Sequence, residues 1–180
     1  MFKFIRTGLG ALLLISFLWA GVAVAGLPAS EEEFLKRHAS EAKNAESALQ
    51  LWFEGVYLYM QGGDQATLGE KILLTMTKGM TDEWKTKAGF SRFAERLKTE
   101  QHIFRSYAKG SSPANGYSMD PSSFELDMVK SVQDGDNWVI SLQSSGADSP
   151  RKVTLTKDDT GLWKVVKFDS VYVGIRPSEK

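Results

Sequence analysis

Between Ser30 and Gly62, apolar positions return every three or four residues: Phe34, Ala42, Ala45, Leu49, Trp52, Val56 and Tyr59, with His38 in the same stripe. That spacing is one face of a helix. The pattern predicts a single helix capped by Ser30, with Glu31, Glu32 and Glu33 set against the positive end of its dipole and Gly62–Gly63 ending it. His38, on the periodic face, reads as a packing residue. The second half, LQLWFEGVYLYM, is apolar almost all round and is expected to lie between layers. One narrow polar stripe runs along it through Ser47, Gln50, Glu54 and Gln61, which places Glu54 in solvent.

A second helix is expected after Asp64 as cap, carrying Leu68, Ile72 and Met76, and Thr81 with Asp82 and Glu83 marks another helical start leading to Trp84. A third amphipathic run holds Phe90, Phe93, Ala94 and Leu97, with Arg92 and Arg96 one turn apart on its opposite side. The following QHIFRSYAKG fits either a continued helix or a strand. After Lys109 the pattern changes to a turn-rich connection, GSSPANGYSMDPSS, and then to strand-like runs: FELDMVKSV, WVISLQS, RKVTLT and LWKVVKF, with VYVGI extending the last or adding a fifth. QDGDN and KDDTG read as hairpin turns, because Asp and Gly tolerate positive φ. Helices first and an antiparallel meander second is an α+β order. N-terminal helices packed on a curved sheet of four to five strands resemble, in layout, the cone-like rolls of nuclear transport factor 2-like and cystatin-like domains.

The chain opens with MFKFIRTGLGALLLISFLWAGVAVAG, in which Lys3 and Arg6 precede an uncharged apolar run ending in the small residues Ala23 and Ala25. This is the layout of a signal peptide. Cleavage near Ala25 implies a periplasmic or secreted domain. The rival reading is a retained anchor, since Gly8 to Ala25 is nearly the ~20 residues a bilayer needs, and membrane contact is expected only in that case. The chain contains no cysteine, so disulfides, thiolate chemistry and lipid attachment at a cleavage-site cysteine are excluded. Its 22 basic residues balance its 22 acidic ones, and without Lys3 and Arg6 the remainder is slightly acidic, which gives no electrostatic footprint for nucleic acid. Residues 26–47 form a polar, alanine-rich helical lead to a single domain over 48–177.

Several strings resemble those of a family of bacterial domains of unknown function: HIFRSYAKGSSPANGYSMDP with the following FEL, then SSGADSP, then GLWKV leading to YVGIRP. The resemblance spans Ala48 to Pro177 and implies no assigned activity. It does single out candidate ligand- or partner-binding positions: His102, Arg105, Tyr107, Asn115, Tyr117, Asp120, Ser145, Asp148 and Arg151.

Catalytic motifs are sparse. A serine triad would have to draw on His38 or His102, and Ser149 is followed by Pro150 with no elbow motif around it. SLQSSGADSPRKVTL therefore reads as a turn between strands, with Asp148 accepting backbone hydrogen bonds in an Asx-type turn. No calcium loop, zinc set or phosphate loop is present, so no catalytic residue, metal or cofactor is expected. Two function classes remain. In one, an exported accessory domain of the cell envelope recognises a peptide, a glycan or another envelope protein through loops at the sheet rim. In the other, a small-molecule lyase or isomerase uses an apolar pocket inside the roll, lined by Trp52, Tyr57, Tyr59, Phe104 and Tyr107.

Overall fold

A computed structural model describes residues 26–180; the signal-like segment 1–25 lies outside the described residues. Five α-helices precede four strands: α1 (Glu31–Glu41), α2 (Ala45–Gln61), α3 (Gly63–Met76), α4 (Ser91–Thr99), α5 (Gln101–Arg105), β1 (Met128–Asp134), β2 (Asn137–Leu142), β3 (Arg151–Lys157) and β4 (Trp163–Lys167). The class is α+β, and the sheet is an open antiparallel meander in the order β1-β2-β3-β4. None of the described helices is long and apolar enough to cross a membrane.

Ser30 caps α1, its hydroxyl accepting the Glu33 N–H at 3.2 Å. The expected single helix is in fact two. Asn44 starts α2 by accepting the Ser47 N–H at 2.9 Å, so the chain turns a corner over 42–44. An Asn at an N-cap offers the backbone an alternative to continuing the helix. That corner is tied to the sheet, since the Trp163 N–H donates to the Ala42 carbonyl at 2.8 Å.

Buried on every side, α2 is the central element. Trp52 stacks on Phe93 at 5.6 Å, packs against Phe168 at 5.0 Å, and donates its indole N–H to Thr77 at 2.8 Å. Beside it lies α3, with Gly55 and Gly69 at the closest approach. The sheet lays Ile140, Leu142, Val153, Leu155, Trp163 and Val165 on the core face, in a register that puts Trp138 opposite Leu155 and Leu155 opposite Val165.

Several local expectations are corrected. Asp64 falls in the first turn of α3, but Gly62 is the cap and no side chain bonds there. Thr81–Glu83 form turns only. The ambiguous QHIFRSYAKG resolves into the short α5 and a turn. FELDMVKSV is strand only from Met128, and VYVGI is no strand: Asp169–Tyr172 form a 3-10 turn. The β-branched pattern there is overridden because Tyr107, two residues past α5, donates its hydroxyl to the Val171 carbonyl at 2.7 Å, while the Ser170 hydroxyl bonds the Lys152 backbone of β3 at 3.1 and 2.9 Å, which holds that segment across α5 and β3 rather than beside β4.

Candidate functional site

Three of the strings that carry the family resemblance converge in one place. The connection from β2 to β3 crosses the core with Ser144 fully buried, its hydroxyl 2.7 Å from that of Ser106 and accepting the Gly146 N–H at 3.1 Å. This hydroxyl does the work expected of Asp148, which is instead exposed and paired with Arg176 at 3.2 Å. Ser145 donates both its N–H and its hydroxyl to the Ser106 carbonyl, at 2.9 and 3.1 Å. Gly146 is squeezed between Tyr117 and Ile175, and its carbonyl takes the Arg176 N–H at 2.9 Å.

Most of the remaining candidate residues fasten these loops. Asn115 and Ser112 form a reciprocal capping box around the turn Pro113–Asn115. Asp120 accepts from the hydroxyls of Ser122 and Ser123 and from the Ser122 N–H. Arg151 donates to the carbonyls of Ser149, Val173 and Gly174, which pins the chain end to the start of β3. Tyr107 is buried in the core.

Tyr117, His102 and Arg105 form a second group. Tyr117 has φ +55°, the left-handed region that bulky residues rarely occupy. It is held there by three constraints: its N–H on the Ser112 carbonyl at 2.8 Å, its hydroxyl on the Arg176 carbonyl at 2.6 Å, and its ring 5.7 Å from that of His102. Tyr117 and Arg105 line a cleft of about 190 Å³ together with Tyr57, Met60, Met119 and Pro121.

The aromatic residues expected to line an internal pocket pack against other side chains. Trp52, Tyr57, Phe104 and Tyr107 are essentially inaccessible and pack edge-on or tilted against Phe53, Phe93 and Phe124, while Tyr59 lies half-buried beside Trp84. No cluster of three or more His, Asp or Glu side chains among the described residues is arranged to hold a metal ion.

A larger cleft, about 390 Å³, opens at the hairpin end of the sheet, between the α1–α2 corner and the β1–β2 turn. Trp138 and Trp163 meet edge to face there, with ring centroids 5.9 Å apart, and the Lys157 ammonium lies 5.2 Å over the Trp163 ring. Asn44, Glu46, Gln133 and Asp136 form its polar edge. Ser131 donates to Glu46 and accepts the Trp138 indole N–H, so the aromatic floor is fixed to α2. None of these residues was singled out from sequence. The available signal was a tryptophan near the turn end of each of two strands, WVISL and LWKVV.

No curated protein and no solved structure matches the chain. A family model described as a domain of unknown function (DUF6935) matches residues 26–179, taking in 26–47 as well as the 48–177 core. The chain therefore belongs to the DUF6935 family, whose domain here is an α+β fold of helices packed on an open antiparallel sheet.

Proposed function

We propose that this protein is an exported, non-catalytic binding domain of the cell envelope that recognises a glycan in the cleft at the hairpin end of the sheet. The observation that carries this reading is the fixed Trp138–Trp163 pair at the floor of an open cleft edged by amides and carboxylates. Trp163 is buried with Lys157 over its ring, so the half-buried Trp138 supplies the accessible aromatic surface, which suits the C–H face of a sugar ring. The side chains of Asn44, Glu46, Gln133 and Asp136 supply the donors and acceptors that neighbouring hydroxyls need. Lys43 and Lys157 offset Glu46 and Asp136, so the cleft has no net charge to favour a strongly ionic ligand. Export is supported by the charged, apolar and small-residue layout of residues 1–25.

Calorimetric titration with envelope oligosaccharides, read alongside tryptophan fluorescence, tests the proposal. A saturable signal is expected. Replacing Gln133 and Asp136, both exposed, with Ala is expected to weaken it by about tenfold, or ~1.4 kcal/mol, without changing the melting temperature. Binding that ignores this double change, or no binding by any glycan, would defeat the reading.

A further inference from the structure

Arg105 stands apart from the other arginines. Among the described residues four arginines are not exposed: Arg37, Arg96, Arg105 and Arg151. Arg37 and Arg96 pair with carboxylates, and Arg151 is spread over three backbone carbonyls. Among the described residues Arg105 has neither kind of partner. Its side-chain hydrogen bond runs from Nη2 to the Gln101 Oε1 at 2.9 Å. A guanidinium carries five N–H donors, and beyond the bond to Gln101 these have no protein partner among the described residues, while Arg105 lines the cleft.

The surroundings hold that guanidinium in place. Gln101 is itself clamped, its amide donating to the Met60 carbonyl at the end of α2 at 3.1 Å, so it acts as a bracket for Arg105. The opposite wall is Tyr117, locked in its left-handed conformation, and Pro121, whose carbonyl accepts the Leu27 N–H at 3.4 Å. A site held this way spends little free energy on ordering when a ligand enters.

The lining also limits the ligand. Met60, Met119 and Pro121 present apolar surface and Gln61 and Ser118 polar surface, with Tyr57 and Tyr117 buried behind them, while Arg105 is the one cation among the lining residues. A phosphate dianion would call for more positive charge than this. A planar monoanion matches the guanidinium fork, and an apolar group of a few carbons fills the rest of the roughly 190 Å³.

We propose that the Arg105 cleft is a carboxylate-binding site that takes an acid with a short apolar body, with Arg105 as the ligand-contacting residue and Gln101 as its positioning residue. This chemistry has two sources, a small branched-chain acid or the carboxyl end of a peptide with an apolar last residue. The site is independent of the tryptophan cleft, because the two share no lining residue.

Amide-proton NMR titration of the protein with isovalerate, N-acetyl-leucine, isovaleramide and inorganic phosphate separates the outcomes. The carboxylates are expected to shift the resonances of Arg105, Tyr117 and Met119, with the amide at least about tenfold weaker. Tighter binding of N-acetyl-leucine assigns the peptide source, and tighter binding of isovalerate the small acid. Arg105→Lys keeps the charge but loses the fork, and is expected to weaken binding by about tenfold. Gln101→Ala is expected to weaken binding several-fold and to flatten the preference for acid over amide, a change that loss of fold alone would not produce. Equal binding of acid and amide, tighter binding of phosphate, or shifts that persist unchanged in a folded Arg105→Lys protein would overturn the proposal.

Discussion

Gly69→Ala is expected to destabilise the domain by about 3 kcal/mol or more, the upper end of what overpacking produces. The usual helix-propensity argument gives the opposite sign, because Ala is favoured over Gly in a helix interior by about 1 kcal/mol. Packing reverses it. A Cβ on Gly69 would lie 2.2 Å from the Tyr59 nitrogen, 2.8 Å from the Tyr59 Cα and 2.6 Å from the Gly55 carbonyl oxygen. All three are backbone atoms of α2, and no rotamer change relieves them. The helices must separate, which loosens the packing of Ile72, Leu73 and Met76 on α2. Gly55→Ala is expected to destabilise as well but by less, since its added carbon meets one side chain rather than the backbone: the Ile72 Cγ2 at 2.5 Å, and its Cβ at 2.8 Å, which moves only with α3. Urea unfolding of both variants measures the difference. For a domain of this size the Gly69 loss corresponds to a fall in melting temperature of about 6–12 °C. A Gly69→Ala protein as stable as the parent would show that α2 and α3 do not cross at this glycine.

The amphipathic periods and turn residues were legible because they act locally. Ser30 caps where a hydroxyl was expected, and QDGDN closes β1 onto β2 with Gly135 at φ 59°. What failed depended on distant partners. Glu54 sits on a polar stripe in the helical wheel, yet it is fully buried, because α1 and the 124–126 segment close over that stripe. VYVGI has strand propensity, but the partner it finds is the hydroxyl of Tyr107. The same limit applied to the sites. The family-like strings pointed to real junctions of the fold, and at most of those junctions the polar side chains hold one loop to another. Arg105 was among the named candidates, but its lack of an acidic partner is visible only in three dimensions. The tryptophan cleft joins Asn44 and Glu46 to residues about 90 or more positions later, a distance no local pattern spans.

The buried acid missed in the sequence gives the domain a pH-dependent stability whose sign follows from geometry. Arg37 grips Glu41 with both arms of its fork, Nε to Oε1 at 2.8 Å and Nη2 to Oε2 at 3.1 Å. It also reaches the Glu54 Oε1 at 3.0 Å and the Gly26 carbonyl at 3.0 Å. The Glu54 Oε2 lies 2.9 Å from Nη1 but accepts no aligned hydrogen bond among the described residues. One guanidinium thus serves two carboxylates, and Glu54 is the worse served and the more deeply buried. Burial pushes its carboxyl up to about 7, against the pull of Arg37 and Gln50, with Glu41 adding to the rise. The folded state therefore holds this proton more tightly than the unfolded chain, whose carboxyl titrates near 4.5. Stability from this group is greatest below the unfolded value, falls as pH rises towards about 7, and then levels off. The slope is at most about 1.4 kcal/mol per pH unit, so ~2–3 kcal/mol separates pH 5 from pH 8. Glu54→Gln keeps the shape and the hydrogen bonding to Arg37 and is expected to remove that slope, leaving the variant at least as stable as the parent at pH 8. Arg37→Met is expected to lose about 3–5 kcal/mol at pH 8, where it strands a buried carboxylate, and distinctly less at pH 5, where the carboxyl is protonated. Combining the two changes is expected to recover most of the loss at pH 8. Denaturant titrations at the two pH values measure all of these, and parallel stability curves for the parent and Glu54→Gln would show that Glu54 stays ionised in the fold throughout.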